Sequence, residues 1–449
     1  MSLENIESSM NRGNEIPMQK STDNKTSTID LVNKNLKKRY RAEKRFRGYG
    51  IAAILFGLAC LVVLFTDIIG KGHTAFLQTY VYVEVNLDAQ QLDITDSTDA
   101  RQLAMADYQG VIKSALRTQF PDAQGRRDKR DLYSLVSNGA GYTLRSMLED
   151  DPGLLNKKIG VWVLADDDID TYLKSRGDED SKAFIARMNP KQVAWVENLI
   201  ANEQMELQFN RTFFTNGDSR EPEQAGIAGA MVGSLFTLLV TIALSFPIGV
   251  AAAVYLEEYA PTNRITDFIE VNINNLAAVP SIIFGLLGLA IFIGYFGMHR
   301  SIPLVGGLVL TLMTLPTIII SSRAAIKSVP PSIKDAALGL GASKMQVVIH
   351  HVLPLAMPGM LTGAIIGFAQ ALGETAPLLM IGMVAFIVDI PGGASDPATV
   401  LPVQIFLWSD SPERAFVERT SAAIMVLLAF LITMNTLAIW LRKRLERRW

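Results

Sequence analysis

Residues 48–66 carry no charged side chain, and the same is nearly true of 225–256, 271–298, 301–322, 352–390 and 420–441. A helix of about 20 apolar residues crosses a hydrocarbon core about 30 Å thick, and each of these runs is long enough. In lipid, such a run can satisfy its backbone hydrogen bonds internally as a helix. The chain therefore reads as a polytopic α-helical membrane protein with six spans, the second of which, 225–256, is expected to break in "SFPIG", where Pro247 cannot donate a helix hydrogen bond. Its composition, 49% hydrophobic against 19% charged, supports that class.

Charge sets the expected orientation. Between 34 and 47 stand eight basic residues and one acid, which puts the start of the first span in the cytoplasm. That run begins too far from residue 1 for an ordinary cleaved signal peptide. The C-terminal "RKRLERRW" holds five basic residues and one acid, and an even number of spans returns both termini to the cytoplasm. The stretch between spans four and five, 323–352, carries Arg323, Lys327, Lys334 and Lys344 against Asp335 and falls on the same side. Residues 1–33, rich in Ser, Asn, Thr and Lys, read as disordered. The expected order is a basic tail at 1–47, a first span at 48–70, an inserted domain at 71–224 and a five-helix core at 225–449.

The inserted domain would be periplasmic. Its acidic residues outnumber its basic ones by 25 to 18, and its length suffices for a core of its own. "TYVYVEVNL" (79–87) sets Val81, Val83 and Val85 on one face and reads as a strand; "IGVWVLA" (159–165) reads as a buried one. "DDDIDTYLKSR" (166–176) reads as a helix entered through an Asp cap. "NPKQVAWVENLIANEQ" (189–204) reads as another, with Pro190 at its first position. An α+β domain follows. The acids at 166–170 lack the spacing of an EF-hand loop and read as a capped, solvated helix start rather than a calcium site. No metal centre is expected elsewhere. Cys60 is the lone cysteine, the four histidines are scattered, and His350 and His351 would point about 100° apart on a helix. A net charge of -2 argues against a nucleic-acid binder.

Two motifs carry the functional expectation. In "DAALGLGASKMQVVIHHVLP" (335–354), small residues let a short helix approach another protein closely, and Gly341 permits a sharp turn. The stretch resembles the "EAA" loop of permease subunits in ABC importers: Asp335, Ala336 and Ala337 match the acid-Ala-Ala positions, Gly341 the glycine, and Leu353 with Pro354 the end. Asp replaces the usual Glu, and His351 stands where Ile is usual. The resemblance implies a coupling helix that docks in a cleft of a separate ATPase subunit. "GLGASK" (339–344) is no phosphate loop, since its glycines are two apart and Met345 follows Lys344. The chain is expected to bind no ATP or other cofactor and to be a transport subunit rather than an enzyme.

The second motif is "FAQALGETAPLLMIG" (368–382), with Glu374 inside an apolar run. A charge at the bilayer centre costs about 3 kcal/mol on insertion scales. Pro377 cannot donate to the carbonyl of Gly373, and Gly373 is flexible, so the helix should break there. Breaks near the midplane are common places for transporter substrate sites. "LGETAPLL" (372–379), "VPSIIFGLLG" (279–288) and "LPVQIF" (401–406) together resemble the PstA-type permeases of phosphate importers, from about 226 onward. The resemblance implies an ABC importer type I permease fold in a bacterial inner membrane. It implies a second, similar permease, two ATPase subunits holding the ATP, and a periplasmic phosphate-binding protein that meets the loop 391–419. Glu374, Gln370 and Thr375 would lie on the substrate pathway, moved between the two sides by alternating access.

In that family an arginine is commonly found four residues before the glutamate; here the position is Gln370. Three roles stay open for Glu374: an ion pair with an arginine across the permease dimer, pathway polarity without such a pair, or a helix–helix hydrogen bond. Gln370 could bridge to Glu374, contact phosphate, or simply pack. The alternatives for the whole chain are a permease for another oxyanion, such as sulfate or molybdate, and a phosphate-sensing membrane regulator.

Overall fold

A computed structural model of the chain describes residues 28–96, 99–176 and 188–445. The expected disorder of 1–27 and the last residues of the basic C-terminus fall outside this range. Helix α1 runs Thr28–Gly72. It starts well before the apolar run, so the basic segment 34–47 is helical rather than part of a disordered tail. Its Lys, Arg, Leu and Ala are strong helix formers, and extending an existing helix carries no nucleation cost. Between 38 and 65 every side chain is exposed.

Beyond α1 the inserted domain opens with strand β1, Leu77–Asn86. Helices α2 (Tyr108–Gln119) and α3 (Ala140–Asp150) precede β2, Lys158–Leu164. Then follow α4 (Asp167–Lys174), α5 (Pro190–Ala201) and β3 (Met205–Phe209). The sheet is antiparallel in the order β2-β1-β3, with Val83 opposite Val161 and Val81 opposite both Val163 and Met205. Alternation along β1 works as the pleat requires: Val81, Val83, Val85 and Leu87 are fully buried against Ile112, Leu116, Leu144 and Ile169. Asp166 and Asn189 cap α4 and α5 through their side chains.

The apolar runs fold into α6 (Ala228–Val254), α7 (Arg264–Ala277), α8 (Ser281–Gly288, continued by a π-turn Leu289–Tyr295) and α9 (Pro303–Lys327). The cytoplasmic-loop candidates form α10 (Pro331–Gly339) and α11 (Lys344–Val347). Then come α12 (Leu353–Gly373), α13 (Ala376–Met380), α14 (Leu401–Ser409) and α15 (Ala415–Leu445). Among the described residues, five helices are long and apolar enough to cross a membrane, or six if α7 and α8 count as one broken span.

Three expectations need correcting. The run 271–298 is no straight span: α7 and α8 meet at 102°. Pro280 ends the first helix by restricting Val279, and α7 itself is amphipathic, with Asn272, Asn274 and Asn275 in its last turns. Pro247 does not break α6, which is continuous. There close packing holds the helix across the missing hydrogen bond: a Cβ on Gly249 would lie 2.6 Å from Ile318, and one on Gly307 2.5 Å from Val240. Finally, much of the segment 391–419 is no open loop. Within α14, Leu401 and Val403 are fully buried and Trp408 nearly so, because a short apolar helix too small to span still buries its surface where it can.

Candidate translocation and coupling site

Helix α12 ends at Gly373, and Glu374 takes an extended backbone, φ -77°, ψ 123°. The chain turns helical again at Ala376, with Pro377 in the first turn of α13, and the amides of Leu378 and Leu379 donate to Thr375 O at 3.1 and 3.0 Å. Gln370 and Gly373 are exposed, while Glu374 and Thr375 are half-buried. Among the described residues no cation pairs with Glu374; the ion pairs on the core helices are made by Arg323, Lys327 and Lys334 and, at the start of α15, by Lys174 of the inserted domain. A carboxylate in an apolar run thus has no counter-ion of its own there.

Two contacts hold the break in place. A Cβ on Gly285 of α8 would sit 2.6 Å from Pro377 Cα and 2.7 Å from Pro377 O, so α8 and α13 meet backbone to backbone. On the other side Gly382 turns at φ +88°, where Ser301 Oγ donates to its carbonyl at 2.5 Å. Gly285 lies within the "VPSIIFGLLG" motif, yet its role has no local signature, because the atoms it admits are almost a hundred residues away.

The second element is α10. Asp335 and Ala336 are exposed on it and Ala337 is buried. The helix closes through Gly341 at φ +88°, with Gly341 N donating to Leu338 O and Ala342 N to Ala337 O. This left-handed stop is the conformation that favours glycine. Ser343 then opens α11 with a capping box to Gln346. Leu340, at the stop, is 90% exposed. Beside it Ile333, Ala336, Ala342 and His351 line an open cavity of about 360 Å³. Asp335 makes no ion pair among the described residues; its neighbour Lys334 reaches Glu258 at 2.5 Å. Arg323 pairs with Glu270 at 2.9 Å and Glu257 at 3.4 Å, and Lys327 lies 3.7 Å from Glu257. Three of the four basic residues that marked this region in the sequence, Arg323, Lys327 and Lys334, are thus tied to acids of α7 and of the π-turn Tyr255–Tyr259 after α6. The adjacent pair Glu257–Glu258 at the end of an apolar run was the available clue.

The inserted domain meets α15 at a polar seam. Lys174 Nζ lies 2.7 Å from both Asp170 and Glu418, with the first two side chains almost wholly buried. Asp170 also accepts from Thr79 N at 2.8 Å. Nearby, Asp218 accepts from Trp408 Nε1 at 2.9 Å; burial pushes its carboxyl up, and this hydrogen bond partly offsets the shift. At the start of α4, Asp166, Asp167 and Asp168 bring carboxylate oxygens within 4.8 Å of one another. Asp166 and Asp167 both bond the amide of Asp168, the geometry of a helix cap rather than a ligand cage.

That cap predicts a pH dependence. Burial, with Asp167 beside it, pushes Asp166 up to about 8, and burial raises Asp167 and Glu223 as well. An unfolded aspartate titrates near 3.9. Across the interval between those values the folded state holds the proton more tightly, so stability falls as pH rises. In the solubilised full chain, unfolding of the inserted domain, followed by hydrogen exchange in β1, should occur more readily at pH 8 than at pH 5. Asp166→Asn, which keeps a capping oxygen, should flatten that difference; an unchanged slope would show that the cluster is not responsible.

Comparison with known proteins gives the class. Residues 245–449 match the family described as the inner membrane component of binding-protein-dependent transport systems, and residues 33–183 match a domain of unknown function. The probable ABC transporter permease protein YqgI of Bacillus subtilis is 36% identical over 40% of this chain and 60% of its own length. The phosphate transport system permease protein PstA 1 of Mycobacterium tuberculosis is 31% identical over 51% of this chain and 74% of its own. The inward-facing MetNI methionine ABC transporter has a chain that matches 48% of this one at 21% identity, with a TM-score of 0.37 and 95% of that chain covered. Within this class of membrane components, the chain belongs to the family of PstA-type permeases.

Proposed function

We propose that the chain is a permease subunit of an ATP-driven importer of inorganic phosphate in a bacterial inner membrane. It works with a second permease, two ATPase subunits that bind the ATP, and a binding protein on the outer side. The termini and α10 face the cytoplasm, and the inserted domain faces outward. The observation that carries the reading is the break at Glu374: a carboxylate that no cation among the described residues pairs with, in the "GETAP" turn, close in sequence to an exposed Gln370.

The relatives named for phosphate transport support phosphate as the substrate, and so does the chemistry of the break. An ionised carboxylate repels every oxyanion. Phosphate near neutral pH still carries a proton and can donate a hydrogen bond to that carboxylate, whereas sulfate and molybdate, fully ionised, cannot. A charged hydrogen bond of this type is worth about 1.5–3 kcal/mol, and a site that leaves it unmade rejects the competing ion. Glu374 is then a selectivity group, Gln370 and Thr375 supply neutral polar contacts, and cationic charge comes from the second permease.

The test is uptake of radiolabelled phosphate in cells expressing the whole transporter, with excess sulfate or molybdate, for the native chain and Glu374→Gln at matched membrane levels. The native chain should resist both competitors. The variant, whose amide N–H can serve a fully ionised anion, should lose about tenfold or more of that discrimination. Uptake of sulfate in place of phosphate by the native chain would replace the substrate, and unchanged discrimination in the variant would remove Glu374 from its role.

A further inference from the structure

We infer that the inserted domain is keyed to α15 and moves with it as one body, with Lys174 as the key. Lys174 sits between Asp170 of the domain and Glu418 in the first turn of α15, 2.7 Å from each, its side chain only 6% exposed. Asp170 is itself held by the amide of Thr79 on β1, so the key reaches the central strand of the sheet rather than a surface loop. Charge-assisted hydrogen bonds fix direction; apolar contact does not.

Apolar contact is nevertheless continuous around the key. Ala75, Phe213, Ile227, Trp408, Phe416 and Ala422 form one buried cluster. It joins both ends of the inserted segment to α14 and α15. A Cβ on Gly72 would lie 2.8 Å from the backbone of Ser421, so the last turn of α1 is seated on α15 as well. Arg419 stacks its guanidinium over Phe213 at 5.9 Å.

Another part of the core has a cluster of its own. Phe284, Val305, Val309, Leu378 and Ile381 belong to α8, α9 and the segment that starts at α13. Helix α14 borders both, giving Val403 to one and Leu401 with Trp408 to the other. The inferred bodies are the inserted domain with α15, and α8 and α9 with α13; the backbone contact from Asp218 N to Ile387 O, 3.4 Å long, is the looser tie between the domain and the second body. A shift between them is carried to the domain undiminished, which makes the domain a rigid arm of the permease. This division does not depend on which anion is carried; only the nucleotide arm of the test rests on the importer reading.

The experiment is electron–electron distance measurement on the full-length chain in its transporter complex in nanodiscs, with Cys60→Ser removing the native thiol. Spin labels at Asp150→Cys and Val417→Cys report domain to α15; labels at Asp150→Cys and Phe296→Cys report domain to the other body. The first distance should stay fixed between nucleotide-free and nucleotide-trapped states while the second changes. Lys174→Met, which takes away the cation that bridges Asp170 and Glu418 directly, should widen the first distribution about twofold; Lys174→Arg should not. Slow hydrogen exchange in β1 confirms that the domain is still folded. Should Lys174→Met unfold it, Glu418→Gln, which spares the Lys174–Asp170 pair, decides by the same widening. A first distance that shifts between states as much as the second, or a distribution that no variant widens, overturns the inference.

Discussion

Leu340→Asp is expected to abolish uptake while leaving the protein in the membrane at normal level. Leu340 stands at the end of α10, 90% exposed, and its side chain supports nothing within the fold. A large apolar group held that far into water, beside a cavity walled by Ala336 and Ile333, is the geometry of an anchor for another protein. Anchors of this kind typically cost 2 kcal/mol or more when lost, about a thirtyfold fall in affinity, and a buried carboxylate adds a desolvation penalty. The proposed partner is the ATPase, so the variant should fail to retain it on affinity purification, and phosphate uptake should drop with it. Met345→Asp, also exposed but placed after the turn on α11, serves as the comparison and should weaken capture less. Full capture by the Leu340 variant would mean that α10 is not the docking element.

Pairing by ion bridges explains why a disturbance at α10 should reach the spans. Lys334 of α10 is tied to Glu258 after α6, and Arg323 of α9 to Glu257 and to Glu270 of α7. Four helices therefore share one set of charges. Beyond the adjacent Glu257 and Glu258, none of this was legible in the chain, because attraction between Arg323 and Glu270 depends on folding and leaves no periodic trace. The sequence did carry whatever rests on local chemistry. The alternation of Val81, Val83 and Val85 gives β1 its buried face, Asp166 and Asn189 cap the helices that follow them, and Gly341 turns left-handed at the end of α10. Hydropathy alone misled at 271–298, where an amphipathic helix and a short apolar one add up to the length of a span. Pro280 and three asparagines were present to mark the bend, but a window average does not see them. Strand β3 escaped for the opposite reason: Met205, Leu207 and Phe209 do alternate with Glu206 and Gln208, but five residues directly after a helix pattern make too short a run to stand out, and Leu207 and Phe209 lie exposed on the sheet edge.

The break at Glu374 separates local from tertiary causes most sharply, and two glycines test the difference. Gly373, the obvious candidate in the sequence, has open space where a Cβ would stand, with no atom within 4 Å, and no left-handed φ. An alanine there fits, and the break persists because Pro377 still lacks the N–H that Gly373 O would accept. Gly373→Ala should therefore leave uptake within about twofold of native, the small cost of a surface change. Gly285 is the reverse case. It is buried in an apolar helix, where nothing in the sequence requires glycine. Any Cβ there meets the backbone of Pro377 at 2.6 and 2.7 Å, and backbone cannot rotate away as a side chain can. Overpacking of this kind costs about 1–3 kcal/mol, released here by moving α13 away from α8. That movement carries Glu374 and Thr375 with it, since Thr375 O is bonded to the amides of Leu378 and Leu379. Gly285→Val should then reduce uptake by about tenfold or more at matched membrane level, and Gly285→Ala by less. Normal transport by Gly285→Val would show that the break is positioned by α12 alone; a loss in Gly373→Ala as large as that in Gly285→Val would return the cause to the flexibility of Gly373.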